Sequence, residues 1–160
     1  MSGSKFIRWS ALAAVLAGIS GAAVAIISQT QPPVPLWLSI VSLLTSLAAL
    51  TGIYQYQKDD GESHGKTGFY LALAGSVLLN LGILIEVTGV IYAVGLIMLA
   101  LNSINAGKDS KWGPALWIAS PVIGFSGVIW GGNTTLFVLG SVAFGLGFLG
   151  FGLILLGSGK

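Results

Sequence analysis

Cysteine is absent from this 160-residue chain, and charged residues are scarce. The lack of cysteine excludes disulfide bonds, thiolate metal sites and cysteine nucleophiles. Charged residues make up 8% of the chain, whereas soluble globular domains contain about 25%. A folded chain with so few charged residues would have a surface that water solvates poorly. The mean hydropathy of +0.91 agrees with this shortage of charge. The composition therefore predicts an integral membrane protein.

Long polar segments are also missing, so short polar breaks divide the chain into apolar stretches. Each stretch comes close to the roughly 17–25 residues that a helix needs to cross about 30 Å of hydrocarbon. The period-two alternation of barrel strands is not seen, so the spans are predicted to be helices. We predict an all-α bundle of six transmembrane helices with short loops, forming one domain over 1–160, with helices at approximately 9–28, 36–56, 68–85, 87–105, 114–130 and 135–156.

The segment 68–105 can be interpreted as one helix or as two. One helix of that length would reach about 57 Å at 1.5 Å per residue, which is far longer than a bilayer is thick. Glu86 and Gly89 interrupt the segment, and glycine readily supplies the left-handed residue that ends a helix. We therefore predict two helices joined by a tight turn at 86–89.

The distribution of basic residues supports six spans over five. With six spans, all seven basic residues fall on one side of the membrane: Lys5, Arg8, Lys58, Lys66, Lys108, Lys111 and Lys160. With five spans, the last three would move to the opposite side. The positive-inside rule makes the basic side cytoplasmic, so both termini are predicted to be cytoplasmic. We expect the protein in a prokaryotic cytoplasmic (inner) membrane.

Titratable residues are too few, and too confined to loops, to build a catalytic or metal centre. The only histidine, His64, lies in the predicted loop 57–67. Haem ligation in a membrane normally uses a histidine inside a span, and a nucleophilic triad needs a correctly placed base. We therefore predict that the protein is not an enzyme, that it holds no cofactor or metal, and that it has no nucleic-acid partner.

Four polar residues are candidates for a solute site or for bonds between helices. Asn80 is the most polar side chain predicted deep in a span, and Ser76 lies one turn before it on the same face. Glu86 is the only acidic residue outside the cytoplasmic loops; it is expected at the outer turn, either hydrated or, if buried, protonated. Asn102 lies near the cytoplasmic end of the fourth helix. Ordinary helix packing explains each of them as well, because such groups commonly bond to a neighbouring helix.

Glycine is abundant, with 24 residues, and it forms stripes on the last two helices. Small residues allow helix backbones to approach closely, which is how membrane helices associate. The predicted packing residues are Gly127, Gly131, Gly140, Gly145, Gly147, Gly150 and Gly152. Such faces could hold together copies of the chain or join it to other membrane subunits.

A proline and an aromatic stripe complete the candidate features. Pro121 removes one backbone hydrogen bond inside the fifth helix, so a kink is predicted just before it. Phe137, Phe144, Phe148 and Phe151 fall within about 60° of one another on the sixth helix. This stripe could contact a lipophilic ligand or a partner subunit, or it could simply face lipid or the bundle interior.

These features favour two functions. The first is a non-catalytic structural or accessory subunit of a membrane assembly or homo-oligomer, which associates through the glycine-lined faces. The alternative is a small channel or facilitator for a neutral solute, with Asn80 and the bend at Pro121 lining its path. The expected partners are the lipid bilayer and, for the first function, other membrane subunits or copies of the chain.

Overall fold

The computed structural model describes residues 3–30, 33–58, 63–107 and 111–158. Within these ranges the chain is all-helical, as predicted. The helices are α1 (Gly3–Thr30), α2 (Leu36–Gln57), α3 (Ser63–Asn80), α4 (Ile85–Ala106), α5 (Trp112–Ile129) and α6 (Thr134–Ser158). By length and composition, α1, α2, α4 and α6 could each cross a membrane. The other two, α3 and α5, have 18 residues each.

The helices form a closed bundle in which each one contacts its neighbours along the chain, and α1 also contacts α6. In the α1–α6 pair, Gly18 lies against Gly145 and Ala11 lies against Gly152, so these two helices run antiparallel. The same holds for α1 and α2, where Ser10 packs on Gly52. The start of α1 and the end of α6 therefore lie at one end of the bundle, which we call the terminal end. The segment 81–84 lies at the opposite end.

Large apolar side chains cover the outside of the bundle. Leu16, Ile19 and Leu44 lie in the middle of their helices and are more than half exposed. Contiguous apolar surface of this kind is rare on soluble monomers, but lipid solvates it well. The outer surface therefore agrees with the composition in indicating a membrane protein.

The buried core fills the half of the bundle toward the terminal end. Its centre is Trp117 of α5, which is fully buried and lies 4.8 Å from Phe148 and 4.5 Å from Phe151, measured between ring centroids. Aliphatic side chains of α2, α4 and α6 surround these rings: Leu50, Ile53, Leu96, Leu99 and Leu155.

The turn between α3 and α4 lies at 81–84 and not at the predicted 86–89. Gly82 adopts a left-handed conformation with φ of +69°. The backbone N–H of Ile83 donates to the Leu78 carbonyl and that of Gly82 to the Leu79 carbonyl, both at 3.1 Å. These two bonds form the glycine-terminated helix end known as the Schellman motif, and they end α3 before Gly89 is reached.

This correction moves several predicted residues. The predicted spans 68–85 and 87–105 become Ser63–Asn80 and Ile85–Ala106. Asn80 is therefore the last residue of α3 and not a group deep in a span. His64 lies in the first turn of α3 and not in a loop. The backbone of Glu86 belongs to the first turn of α4, while its side chain lies outside the described part of the structure.

The position of this turn can be tested by comparing two glycine-to-alanine substitutions. Gly82→Ala places a β-carbon in the left-handed region, which we expect to lower the free energy of unfolding by about 1 kcal/mol or more. Gly89→Ala lies inside α4, where no heavy atom is within 4 Å of the new β-carbon. It should leave stability unchanged or raise it by up to ~1 kcal/mol. Thermal unfolding of the two variants in the same detergent measures both changes in stability. A larger loss of stability for Gly89→Ala than for Gly82→Ala would contradict the observed turn.

Candidate functional site

A cavity of about 400 Å³ lies in the half of the bundle toward the opposite end. All six helices contribute to it, from Gly21 of α1 to Phe144 of α6. Small-molecule sites in proteins typically measure roughly 300–1,000 Å³ and lie in concave, mostly apolar surroundings. Both the size and the position between helices suit a small ligand.

Small residues leave this space open. Gly89 of α4 and Gly124 of α5 line the cavity, and neither has a heavy atom within 4 Å of where a β-carbon would stand. Ser42 and Ser46 of α2 line it as well, one helical turn apart on the same face. In the other half of the bundle, toward the terminal end, the space between the helices is filled by the rings and branched side chains of the core.

Aromatic rings close the cavity toward the terminal end. Tyr92 of α4 meets Phe144 of α6 edge-on, with 5.8 Å between ring centroids. Phe144 packs on Phe148 at 5.0 Å, and Phe148 packs in turn on Trp117. Three of the lining residues are exposed, namely Asn80, Phe125 and Phe137. These three lie near the opposite end of the bundle and mark the rim.

The hydrogen bonding of the lining hydroxyls differs between helices. On α5 and α6, Ser120 Oγ donates to the Trp117 carbonyl at 3.5 Å and Ser141 Oγ donates to the Phe137 carbonyl at 2.9 Å. Ser42, Ser46 and Ser76 are buried, and their hydroxyls make no hydrogen bond within the described residues. Among the described residues that line the cavity, none carries a charge. The site is therefore neutral, and part of its hydrogen-bonding capacity is unused.

The predicted pair Asn80 and Ser76 does lie at this cavity. Asn80 Nδ2 donates to the backbone carbonyl of Ser76 at 2.9 Å, which holds the amide at the rim. Ser76 lies deeper and is 3% exposed.

Asn102, the remaining polar candidate, lies away from the cavity and near the terminal end. Its Nδ2 donates to Gln57 Oε1 at 3.3 Å, and both side chains are buried. Gln57 Nε2 has no hydrogen-bond partner in the described structure. Gln57 was not predicted as a buried polar residue because it falls at the start of the predicted loop 57–67. Its spacing from Ser42, Ser46, Leu50 and Ile53 along one face of α2 could have identified it as an inward-facing residue.

Most of the glycines expected to mediate packing contact other helices of the same chain. On α6, Gly140 lies against Gly124, Gly145 against Gly18, Gly147 against Trp117, Gly150 against Gly113 and Gly152 against Ala11. Gly127 of α5 lies against the start of α6. Gly131 lies in the turn before α6 with φ of +75°, and no heavy atom is near its β-carbon position. The α6 glycine stripes thus face the bundle interior, whereas association between chains through them stays a prediction.

The phenylalanine stripe of α6 also faces inward and divides into two parts. Phe137 and Phe144 line the cavity, whereas Phe148 and Phe151 belong to the core around Trp117. Pro121 lines the cavity from α5, which remains one helix through the proline. Proline leaves the carbonyl four residues earlier, that of Trp117, without its helical donor. The Ser120 hydroxyl supplies a long substitute bond to that carbonyl.

The fold and the composition together indicate an α-helical membrane protein, and the bundle has an internal cavity. No protein-family model, curated protein or solved structure matches the chain. Among the described residues, no cluster of three histidine, aspartate or glutamate side chains could hold a metal ion.

A matched pair of substitutions tests whether the α6 glycines act within one chain. A β-carbon at Gly145 would lie 2.6 Å from the Gly18 carbonyl oxygen, so a backbone would have to move. Gly145→Ala should lower the free energy of unfolding by about 1–3 kcal/mol. Gly157→Ala, with no heavy atom within 4 Å, should change it little. Thermal unfolding and native mass spectrometry are run together; a Gly145→Ala variant of unchanged stability but altered oligomeric state would contradict an intrachain role.

Proposed function

We propose that this protein binds a small uncharged solute in its central cavity and facilitates passage of that solute across the membrane. The observation that supports this most strongly is a neutral cavity to which all six helices contribute. A cavity to which every helix contributes lies between the helices, where a solute that crosses the bundle would pass. The absence of charge on its described lining favours an uncharged solute, because a buried ion without a partner is strongly disfavoured.

We further propose that all six helices cross the membrane, with both termini in the cytoplasm of a prokaryotic cell. At 1.5 Å per residue, α3 and α5 reach about 27 Å, close to the thickness of the hydrocarbon layer. The basic residues of the described structure lie at the terminal end: Lys5, Arg8, Lys58, Lys66 and Lys111. The predicted cytoplasmic residues Lys108 and Lys160 lie outside the described residues. The positive-inside rule assigns the basic end to the cytoplasm.

With this orientation, the cavity opens to the outer side and the aromatic core closes it from the cytoplasm. A solute that enters past Asn80 would stop above Tyr92 and Phe144. Passage therefore requires a rearrangement of the terminal half, as in a carrier, and not a permanently open pore.

The loosest part of the bundle is the hairpin formed by α3 and α4. Glycine brings backbones together between α1 and α2, α1 and α6, α3 and α4, and α5 and α6. Within the described residues, no glycine makes such a contact between α2 and α3 or between α4 and α5. The α2–α3 interface instead uses side chains, such as the stacked rings of Tyr54 and Phe69, 4.5 Å apart. Displacement of the α3–α4 hairpin would open the bundle without breaking a glycine contact.

The accessory-subunit function remains a second proposal. An accessory subunit would have to contact its partners through its lipid-facing surface, because the predicted glycine faces of α6 contact α1 and α5 of the same chain. A solute-binding function needs no partner beyond the bilayer, and it gives the cavity a use.

Solute flux into liposomes tests the proposed function. Gly89→Leu and Gly124→Leu each add four carbons on a cavity-lining face without meeting a neighbouring atom at the β-carbon. Liposomes with the wild-type protein should admit at least one solute from a panel of polyols, amides, short alcohols and aromatic alcohols faster than empty liposomes. Both variants should return the rate to that of empty liposomes, as followed by stopped-flow light scattering.

Gly157→Leu is the matched control, because it adds the same side chain at an open position of α6 outside the cavity. It should retain the wild-type rate. If wild-type liposomes gain nothing over empty ones for any solute, or if all three variants behave alike, the facilitator function is contradicted.

A further inference from the structure

We propose that the ligand of the cavity is an uncharged amphipathic molecule, with a flat apolar body and a single hydroxyl or carbonyl end. This inference rests on the cavity used in the proposed function, and it specifies the class of molecule that binds there. It depends on a chemical difference between two sides of the cavity. We call Ser42, Ser46 and Ser76 the hydroxyl wall and Pro121, Phe125, Phe137 and Phe144 the aromatic wall.

Two hydroxyls of the hydroxyl wall, those of Ser46 and Ser76, lie on adjacent helices at a similar depth. Tyr54 of α2 stacks on Phe69 of α3, and these two helices run antiparallel. Two helical turns further toward the opposite end, Ser46 on α2 is therefore level with Ser76 on α3. Ser42 follows one turn above Ser46 on the same face. Neighbouring hydroxyls at one depth can bond to one polar end of a ligand.

These hydroxyls have hydrogen-bonding capacity that the described protein does not use. All three serines are at least nine-tenths buried, and their hydroxyls make no hydrogen bond to another described residue. A buried polar group without a hydrogen bond is destabilising, so such groups are normally paired with protein, water or ligand. A hydroxyl or carbonyl on the ligand would satisfy them.

The aromatic wall offers no comparable capacity. Its two neighbouring serines, Ser120 and Ser141, already donate to carbonyls of their own helices. What remains toward the cavity is the proline ring and three phenylalanine rings. Flat apolar groups pack well on such rings in offset or edge-on geometry.

The two walls together exclude three other classes of ligand. A polyol or urea would leave most of its polar groups against phenylalanine, where they find no partner. A hydrocarbon would leave the serine hydroxyls unbonded. An ion would meet no opposite charge among the described lining residues. A molecule with one apolar and one polar part satisfies both walls.

Binding of 2-naphthol in lipid nanodiscs tests this inference, with binding to empty nanodiscs subtracted. Wild-type protein should bind 2-naphthol more tightly than naphthalene, which lacks the hydroxyl, and should bind neither 2-naphthalenesulfonate nor glycerol measurably. Ser46→Ala and Ser76→Ala should each weaken 2-naphthol binding about 3- to 10-fold, the usual effect of one lost hydrogen bond. They should not change the affinity for naphthalene.

Ser141→Ala is the matched control, because Ser141 lines the same cavity but its hydroxyl is bonded to Phe137. It should keep the wild-type affinity. Should a serine variant fail to fold, the wild-type preference for 2-naphthol over naphthalene tests the same contact. The inference is overturned if 2-naphthol binds no better than naphthalene, if the sulfonate or glycerol binds as well, or if Ser141→Ala loses as much affinity as Ser46→Ala.

This assay separates the ligand class from the transport function. Serine-dependent binding of 2-naphthol without any solute flux in liposomes would support the ligand class and contradict the facilitator. Flux of polyols or urea, together with no binding of 2-naphthol, would support the facilitator and overturn the ligand class.

Discussion

Close approach at glycine is the constraint shared by four helix pairs of this bundle, α1–α2, α1–α6, α3–α4 and α5–α6. In hydrocarbon, every peptide group must be bonded within its own helix, and helices gain little by hiding apolar surface from one another. Association then relies on van der Waals contact, which improves as backbones approach. Gly18 with Gly145, Gly113 with Gly150, and Gly95 with Ala72 provide that approach in three different helix pairs. Where such contacts are missing, beside the α3–α4 hairpin, the bundle is held by side chains alone.

The same small residues also explain why one half of the bundle is hollow. Toward the terminal end, Trp117, Phe148 and Phe151 fill the space that small neighbours leave. Gly147, for example, admits the edge of the Trp117 indole. Toward the opposite end, Gly89 and Gly124 face no large residue, and the space stays open. The solute entry proposed above, from one side of the membrane, rests on this arrangement of a packed half and an open half.

Local features of the fold could be predicted from the sequence, whereas features that join distant segments could not. The helical class and the α6 phenylalanine stripe follow from periodicity within single segments. The α3–α4 turn was misplaced because Gly82 and Gly89 are both plausible helix ends, and only the hydrogen bonds to Leu78 and Leu79 distinguish them. The cavity depends on which faces of six helices converge. The Gln57–Asn102 contact joins residues 45 positions apart, and one sequence does not reveal such a pair.

Single-cysteine labelling tests most directly whether the cavity opens away from the termini, because the chain has no native cysteine to remove. The probe is a small charged methanethiosulfonate, applied from either side of oriented vesicles to Asn80→Cys, Lys58→Cys and Leu99→Cys variants; Asn80 is an exposed residue at the rim of the cavity. Asn80→Cys should react only from the outer side, Lys58→Cys only from the cytoplasmic side, and Leu99→Cys from neither. Reaction of Asn80→Cys from the same side as Lys58→Cys, or from neither side, would contradict a cavity that opens away from the termini.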